Sequence, residues 1–280
     1  MVFCQNENLF PKMRIDILTL FPDMITNALS HSIIKRAMDN KLVEVVVTDI
    51  RSFTTDRHRT ADDTPYGGGG GMIMKVEPIF LALKSIGAIS QDENGSDCGI
   101  IIRFPVILTD PRGDTFDQQT ARKWAGEERI VLICGHYEGV DERVRKNLVT
   151  HEVSIGDYIL TGGELPALVV TDAITRLQAG ALGDENAPDR DSFADNLLEY
   201  PHYTRPAEFN GWKVPMILQS GNHACIDLWR RWNQLQITRE RRPDLLDQTG
   251  LSDVDKLLLN GSEPEAPILI KTGKLKKEEL

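Results

Sequence analysis

Two glycine-rich segments constrain this chain more than any other feature. Residues 135–143 read GHYEGVDER, and residues 154–167 read SIGDYILTGGELPA. Each follows an apolar run typical of a buried strand, so each occupies the place of a loop that leaves a strand. In open α/β sheets small molecules bind beyond the carboxyl ends of the strands, and glycine lets backbone approach them closely. We therefore interpret the two segments as one pocket.

A third loop extends this pocket. Residues 108–113 (LTDPRG) end another apolar strand and are expected to form a further wall. The alternative is that all three segments are tight turns, which need only glycine, asparagine or proline. The loops also carry larger polar side chains, namely Tyr137, Glu138, Asp157, Tyr158 and Glu164. These side chains favour a binding site over coincidental turns.

The composition argues against several classes of protein. The 280 residues are 41% hydrophobic and 26% charged, which is ordinary for a globular protein. No apolar run reaches the roughly 18 residues of a membrane span, and no secretory signal is evident, so we expect a cytoplasmic protein without a membrane partner. Cysteine and histidine spacings predict no structural metal. The net charge of −10 argues against unspecific polyanion binding but not against a local basic patch.

Strands and helices alternate through about residue 179. This pattern is typical of an α/β domain with a mainly parallel sheet that is covered on both faces. Strands are predicted over residues 14–20, 42–49, 99–109 and 129–134, with a short one near residue 152. Helices are predicted over residues 22–40, 76–86, 117–125, 138–147 and 165–178.

The chain changes character after this domain. Residues 180–200 hold six acidic residues against one arginine and show little apolar periodicity, so they are interpreted as a flexible acidic linker. From residue 215 onward the pattern is helical, which predicts a small all-α C-terminal domain within residues 201–280.

Five consecutive glycines, residues 67–71, could cradle an anion with their backbone N–H groups. A Walker A loop would end in Gly-Lys-Ser/Thr, whereas Met72 and Ile73 follow here. Two interpretations stay open: a flexible surface hinge, or a loop whose backbone lies against a substrate. Just upstream, Arg57, His58 and Arg59 could meet phosphates.

A basic stripe marks the second domain. Between residues 229 and 243, five arginines stand against the single acid Glu240, with Trp229 and Trp232 interleaved. Such a stripe predicts phosphate binding on an otherwise acidic protein. The alternative is an amphipathic helix with a solvated basic face.

Five motifs, in this order, resemble those of the bacterial tRNA (guanine-N1)-methyltransferases, a family of the knotted SPOUT methyltransferases. They occupy residues 56–69, 134–143, 154–167, 191–195 and 201–206, and the likeness spans about residues 13–259. Residues 1–12 are then an N-terminal extension. The resemblance implies an α/β domain at residues 13–179 with a deep trefoil knot in its C-terminal part, a helical tRNA-binding domain, and a homodimer with the active site at the subunit interface.

The resemblance also implies that the three loops bind S-adenosylmethionine. Carried over by motif, the donor-binding residues are Thr109, Asp110, Pro111, Gly135, Tyr137, Glu138, Gly139, Ile155, Gly156, Asp157, Tyr158, Ile159, Leu160, Gly162 and Gly163. Family members carry a serine before the proline of the first loop, where this chain has Asp110. Glu138 either faces the sulfonium or helps to hold Mg²⁺, and the sequence leaves both roles open.

The resemblance implies methyl transfer to N1 of guanosine 37 in tRNA, immediately 3′ of the anticodon. Guanine N1 is protonated at neutral pH, so a base must remove its proton before it can attack a methyl group. The resemblance assigns this role to Asp191, and it assigns to Arg176 the stabilisation of negative charge on O6. By composition alone, Asp191 is one more solvated acid of the linker.

Contacts with tRNA are expected from both domains. The candidates are Arg57, His58, Arg59, His202, Tyr203, Arg205, Asn222, His223, Arg230 and Arg231. Two alternatives remain: a noncatalytic RNA-binding protein that inherited the fold, and a knotted methyltransferase that acts on a ribose 2′-hydroxyl or on another RNA.

Overall fold

A computed structural model describes residues 13–91 and 99–264. The chain divides into two compact units, the first unit (Met1–Glu185) and the second unit (Asn186–Leu280). Their boundary falls within the predicted linker, residues 180–200, whose flexibility stays a prediction. The predicted N-terminal extension lies outside the described residues.

The first unit is built on a five-stranded sheet in which every paired neighbour is parallel. The strands of this unit are, in chain order, β1 (Met13–Thr19), β2 (Val43–Asp49), β3 (Asp62–Asp63), β4 (Ile73–Met74), β5 (Ile89–Gln91), β6 (Ile100–Ile102), β7 (Val106–Thr115), β8 (Arg129–Cys134) and β9 (His151–Ser154). The sheet has the order β2-β1-β8-β7-β9, while β3–β4 and β5–β6 form small antiparallel pairs. The predicted parallel sheet is confirmed.

Helices cover both faces of this sheet. They are α1 (Pro22–Leu29), α2 (Ser32–Asp39), α3 (Val76–Ser85), α4 (Gln118–Ala125), α5 (Glu142–Leu148) and α6 (Glu164–Thr175). Side chains of β8 alternate between two cores: Ile130 and Leu132 pack with α1 and α6, whereas Val131 and Ile133 pack with α3 and α5. Burial on both faces explains why the central strands are continuous apolar runs.

Local chemistry moves some boundaries away from the predicted ones. The helix predicted over residues 22–40 is divided into α1 and α2, because Ser32 adopts φ +56°. The helix predicted from residue 138 begins only at Glu142, since Gly139 has φ +110° and the Asp141 carboxylate caps α5. The strand predicted over residues 99–109 is interrupted before Val106, at Pro105, which lacks a backbone N–H.

A bulge in β7 shapes the edge of the sheet where the site lies. Thr109 and Asp114 both pair with Val153 of β9, so residues 110–113 leave the sheet and then rejoin it. A Cβ on Gly113 would lie 2.3 Å from the backbone nitrogen of Val153, so only glycine fits this close approach. The sequence predicted the loop but not the return of the strand.

The second unit is mainly helical. It contains α7 (Ala187–Arg190), α8 (His223–Arg241), α9 (Pro243–Leu246), α10 (Asp253–Asn260) and a hairpin of β10 (Glu208–Phe209) and β11 (Trp212–Lys213). The hairpin departs from the predicted all-α domain. Its turn, Asn210-Gly211, has positive φ at both residues and is the sequence signal that could have found it. Across the described part of the chain, the helices are too short or too polar to cross a membrane.

Candidate active site

The three glycine-rich loops meet in one cleft of about 410 Å³, where β8 and β9 end and β7 bulges. The cleft is lined by Thr109, Asp110, Pro111, Arg112, Gly135, His136, Tyr137, Glu138, Gly139, Val153, Ser154, Ile155, Gly156, Tyr158, Ile159, Leu160, Thr161, Gly162, Gly163 and Pro166. Of the fifteen donor-binding candidates, all except the exposed Asp157 line it. Five further lining residues were missed although they lie inside the same segments, namely Arg112, His136, Ser154, Thr161 and Pro166, and Val153 directly precedes the third segment.

At the floor of the cleft, the backbone of the second loop contacts the backbone of the third loop directly. The N–H of Gly163 donates to the carbonyl of Gly135 at 2.7 Å, and Gly162 pairs with His136 in an antiparallel bridge. A Cβ on Gly163 would lie 2.1 Å from Oγ1 of Thr109 and 2.8 Å from Cα of Cys134. The second and third loops therefore touch without room for a side chain, and Gly135, Gly162 and Gly163 line the cleft with backbone alone.

A buried carboxylate lies behind this floor. Glu164 is only 2% exposed, occupies the first turn of α6, and accepts a hydrogen bond from Oγ1 of Thr19 at 2.7 Å. Its Oε2 lies 3.8 Å from Nδ1 of His136, whose ring contacts Phe21 and Tyr137. The amino-terminal end of a helix favours such a negative charge.

Cys134 is not suited to act as a nucleophile. Its side chain is buried at the end of β8, and burial, together with the charge of Glu164, raises the pKa of its thiol well above the ordinary value. The reactive form of cysteine is the thiolate, which this environment disfavours. The chemistry of the cleft must therefore come from other groups.

The glycine run ends against the second cleft loop. The N–H of Glu138 donates to the carbonyl of Met72, and the N–H of Met74 donates to that of Gly139, both at 3.0 Å. A Cβ on Gly71 would lie 2.5 Å from Cγ of Glu138, so this glycine lets the two loops touch. The end of the run thus packs against a loop that lines the cleft.

The earlier part of the run is open. A Cβ on any glycine of residues 67–70 would meet no other atom within 4 Å, and Tyr66 is fully exposed. Arg57, His58 and Arg59 are also exposed, in a turn held by hydrogen bonds to the Asp56 carboxylate. This segment can reach a ligand, and its contacts with tRNA stay predictions.

Comparison with known proteins decides the family. The family described as "tRNA (Guanine-1)-methyltransferase TrmD" matches residues 13–248. This chain belongs to that family. It is 52% identical to the tRNA (guanine-N(1)-)-methyltransferase of Brevibacillus brevis over 253 residues, which cover 90% of this chain and 99% of the relative. It is 49% identical to the enzyme of the same name from Dehalococcoides mccartyi over 248 residues, which cover 89% of this chain and 96% of the relative.

The two predicted catalytic residues of this family member lie in different units. Arg176 is the C-terminal cap of α6, the helix whose first turn carries Glu164 behind the cleft floor. Asp191 ends α7 in the second unit, and its side chain is half-buried. Both make interactions with other residues. Their catalytic roles stay predictions.

Several tRNA-binding candidates have structural contacts in the second unit. The side chain of Asn222 caps α8 by accepting the N–H of Cys225, and Nε2 of His202 lies 2.7 Å from Oε1 of Glu199. Tyr203, Arg205 and His223 are exposed. Their contacts with tRNA stay predictions, and the exposed ones are available for them.

The basic stripe is less regular than its sequence suggested. Trp229 is 2% exposed and belongs to the core, where its Nε1 donates to Glu263, so it does not interleave with surface arginines. Arg230 lies over the Tyr200 ring, and Arg231 forms two hydrogen bonds with the Asp255 carboxylate, at 2.7 and 3.0 Å. Part of the stripe therefore stabilises the helical unit.

We expect the Arg231–Asp255 pair to make stability depend on acidity. The hydrogen bonds from Arg231 lower the pKa of Asp255, while burial opposes them. The pair therefore stabilises the fold above the ordinary carboxyl pKa of about 4, and this contribution is lost as the pH falls through the lowered value. Asp255→Asn should reduce unfolding free energy by about 1–3 kcal/mol near neutral pH and flatten this acid dependence in urea titrations.

Asp253 provides the matched control, because it is almost fully exposed on the same helix and pairs with Lys256. Asp253→Asn should change unfolding free energy by less than about 1 kcal/mol. Equal losses for both variants would contradict a structural role for Arg231.

Within residues 13–91 and 99–264, no group of three or more His, Cys, Asp or Glu side chains is placed to hold an ion. Glu138, the candidate for Mg²⁺, lies exposed at the rim of the cleft.

Proposed function

We propose that this protein transfers the methyl group of S-adenosylmethionine to N1 of guanosine 37 in tRNA. The observation that carries the proposal is the cleft in which fourteen of the fifteen motif residues meet, on a chain that is half identical to tRNA (guanine-N(1)-)-methyltransferases over nearly its whole length. The volume of about 410 Å³ lies in the range of small-molecule sites.

The residues of the cleft fit this methyl donor. The lining includes the glycines Gly135 and Gly163 and the aliphatic residues Ile155 and Leu160. The carboxylate of Glu138 can face a positive sulfonium. When bound, S-adenosylmethionine supplies an electrophilic methyl group. We further propose that the domain at residues 13–179 contains the trefoil knot of the family in its C-terminal part. This knot would fold the three loops around the donor.

Proton removal from guanine N1 is assigned to Asp191, and stabilisation of the charge that then develops on O6 is assigned to Arg176. We expect tRNA binding to order residues 180–200, which carry Asp191, so that proton removal begins only once the substrate is bound. Methyl transfer itself then depends on in-line placement of N1 and the methyl carbon.

The proposal also includes a divalent metal ion, Mg²⁺, at the cleft. Mg²⁺ commonly keeps several waters and takes only one or two protein carboxylates, with substrate oxygens completing its shell. Glu138 is the protein group that would take part. The tRNA would bind through the exposed candidate residues of both units. Because its substrate is tRNA, we expect the protein to work in the cytoplasm.

An apolar surface supports a homodimer with the active site at the subunit interface. Leu165 and Val169 lie one turn apart on α6 and are nearly half exposed, and α6 packs on α1, where Met24 is also exposed. Leu165 directly precedes Pro166, which lines the cleft. A second copy covering this face would both remove apolar surface from water and reach the cleft.

Dimerisation is testable on this face. The double substitution Leu165→Glu and Val169→Glu should give a monomer by light scattering and abolish methyl transfer, because buried carboxylates without partners oppose association. Ile101→Glu, at a similarly exposed apolar residue of the same unit, should leave the dimer intact. A double variant that stays dimeric would contradict the assignment of this face.

The function is tested by incubating purified protein with unmodified tRNA and S-adenosylmethionine and analysing the nucleosides by mass spectrometry. We expect 1-methylguanosine and no ribose-methylated product. A 2′-O-methylated nucleoside would favour the second class of knotted methyltransferase. Absence of donor binding in calorimetry would favour a noncatalytic RNA-binding protein.

A further inference from the structure

A buried arginine lies behind the cleft and contacts three carboxylates. Arg145 of α5 has a side chain that is only 8% exposed. Its Nη2 donates to Oδ2 of Asp110 at 2.6 Å, and its Nη1 donates to Oε2 of Glu152. Its Nε lies 3.3 Å from Oε2 of Glu142, without a hydrogen bond. This arginine is therefore held at a fixed orientation.

Arg145 and its partners lie on elements that lead into different walls of the cleft. Asp110 lies in the bulge of β7, which forms the first wall. Arg145 itself lies on α5, which begins where the second loop ends, and Glu152 lies on β9, which runs directly into the third loop. One guanidinium thus connects all three walls.

The Asp110 carboxylate is fully engaged within the protein. Its Oδ1 accepts the backbone N–H of Arg112 at 2.9 Å, while Oδ2 is held by Arg145. Burial alone would raise the pKa of Asp110, but the hydrogen bonds from Arg145 and Arg112 outweigh it and lower the pKa. Asp110 is therefore ionised and turned toward Arg145.

We propose that Arg145 is a positioning residue that holds the three walls of the cleft in the geometry that binds the methyl donor, with Asp110 and Glu152 as its two anchors. The identity of the ligand rests on the proposed function. The guanidinium is required because its planar fork donates to two carboxylates at once, which a lysine ammonium cannot match in direction.

The test compares two conservative variants. Arg145→Lys keeps the charge and removes the fork, and Glu152→Gln keeps Arg145 but removes the charge of one anchor. By calorimetry with S-adenosylmethionine, each should raise the donor Kd about tenfold, while kcat at saturating donor changes little. Because both break the same contact, their effects should be non-additive in the double variant.

Arg129 provides the matched control. It forms a buried ion pair with Asp16, at 2.7 Å, at the amino-terminal end of β8, the opposite end of the strand from the cleft. Arg129→Lys should lower the melting temperature as much as Arg145→Lys does, with an unchanged donor Kd. Equal donor affinity in Arg145→Lys and wild type, or an equal loss in Arg129→Lys, would overturn the proposal.

Hydrogen exchange gives a readout that needs no donor. Arg145→Lys should speed amide exchange by at least about tenfold in residues 110–113, 135–141 and 155–163 together, because all three walls lose one anchor. Faster exchange in only one wall, or in none, would refute the proposal that Arg145 connects the three walls. Were the wild-type protein to bind no S-adenosylmethionine, the proposed function would fail while this exchange pattern still decided the role of Arg145.

Discussion

Replacing Asp191 by alanine should lower the rate of methyl transfer by about 10²–10⁴-fold, the usual contribution of a positioned general base. The donor Kd should stay within about twofold, since Asp191 belongs to the second unit and the donor loops belong to the first. Guanine N1 keeps its proton when the base is missing, so the methyl group has no competent nucleophile. Single-turnover assays with labelled donor measure this step directly.

Asp189 is the control for this prediction. It lies two residues before Asp191, in the same acidic segment, and is exposed. Asp189→Asn should retain nearly the wild-type rate, whereas Asp191→Asn, which keeps the shape of the side chain, should be as slow as Asp191→Ala. Wild-type turnover in Asp191→Asn would remove Asp191 from the mechanism and direct the search for a base to the cleft itself.

Gly163→Ala should abolish measurable donor binding. The new methyl group would lie 2.1 Å from Oγ1 of Thr109, 2.8 Å from Cα of Cys134 and 2.8 Å from the nitrogen of Gly135. Two of these atoms are backbone of the sheet edge and cannot rotate away, so the third loop must move outward. Overpacking of this kind typically costs about 1–3 kcal/mol, and here it also breaks the Gly163–Gly135 hydrogen bond.

Calorimetry measures the loss of donor affinity in Gly163→Ala, and thermal unfolding measures its loss of stability. Gly126→Ala is the matched control, because Gly126 ends α4 with an ordinary negative φ and its Cβ would have a closest contact of 3.4 Å. That variant should keep both stability and affinity. Normal donor binding by Gly163→Ala would mean that the backbone floor of the cleft is not part of the site.

The sequence predicted the sheet well because its signal is local. Apolar runs bounded by polar or glycine-containing segments placed β2 and β8 within one residue of their observed limits. The loops of the cleft could be predicted for the same reason: they follow these strands directly, and parallel strands deliver their ends to one edge. The family motifs then named fourteen of the twenty lining residues.

The boundaries of helices and the burial of side chains could be predicted less well from the sequence pattern. Ser32, with its positive φ, divides a helix that periodicity predicted as one. Trp229 and Trp232 were interpreted as part of a surface stripe, yet Trp229 lies in the core, because an apolar face and a binding face share the same helical spacing. Only the packing partner of a helix decides which face is buried.

What the sequence determined by itself is the alternation of strands and helices, the position of the ligand loops and the family of the protein, all of which rest on runs of neighbouring residues. What only the tertiary structure decided is how distant residues meet. The bulge of β7 depends on its pairing with β9, and the contacts of Arg145 join residues from three separate elements. Such contacts leave no local pattern, because chain folding rather than sequence spacing brings their atoms together.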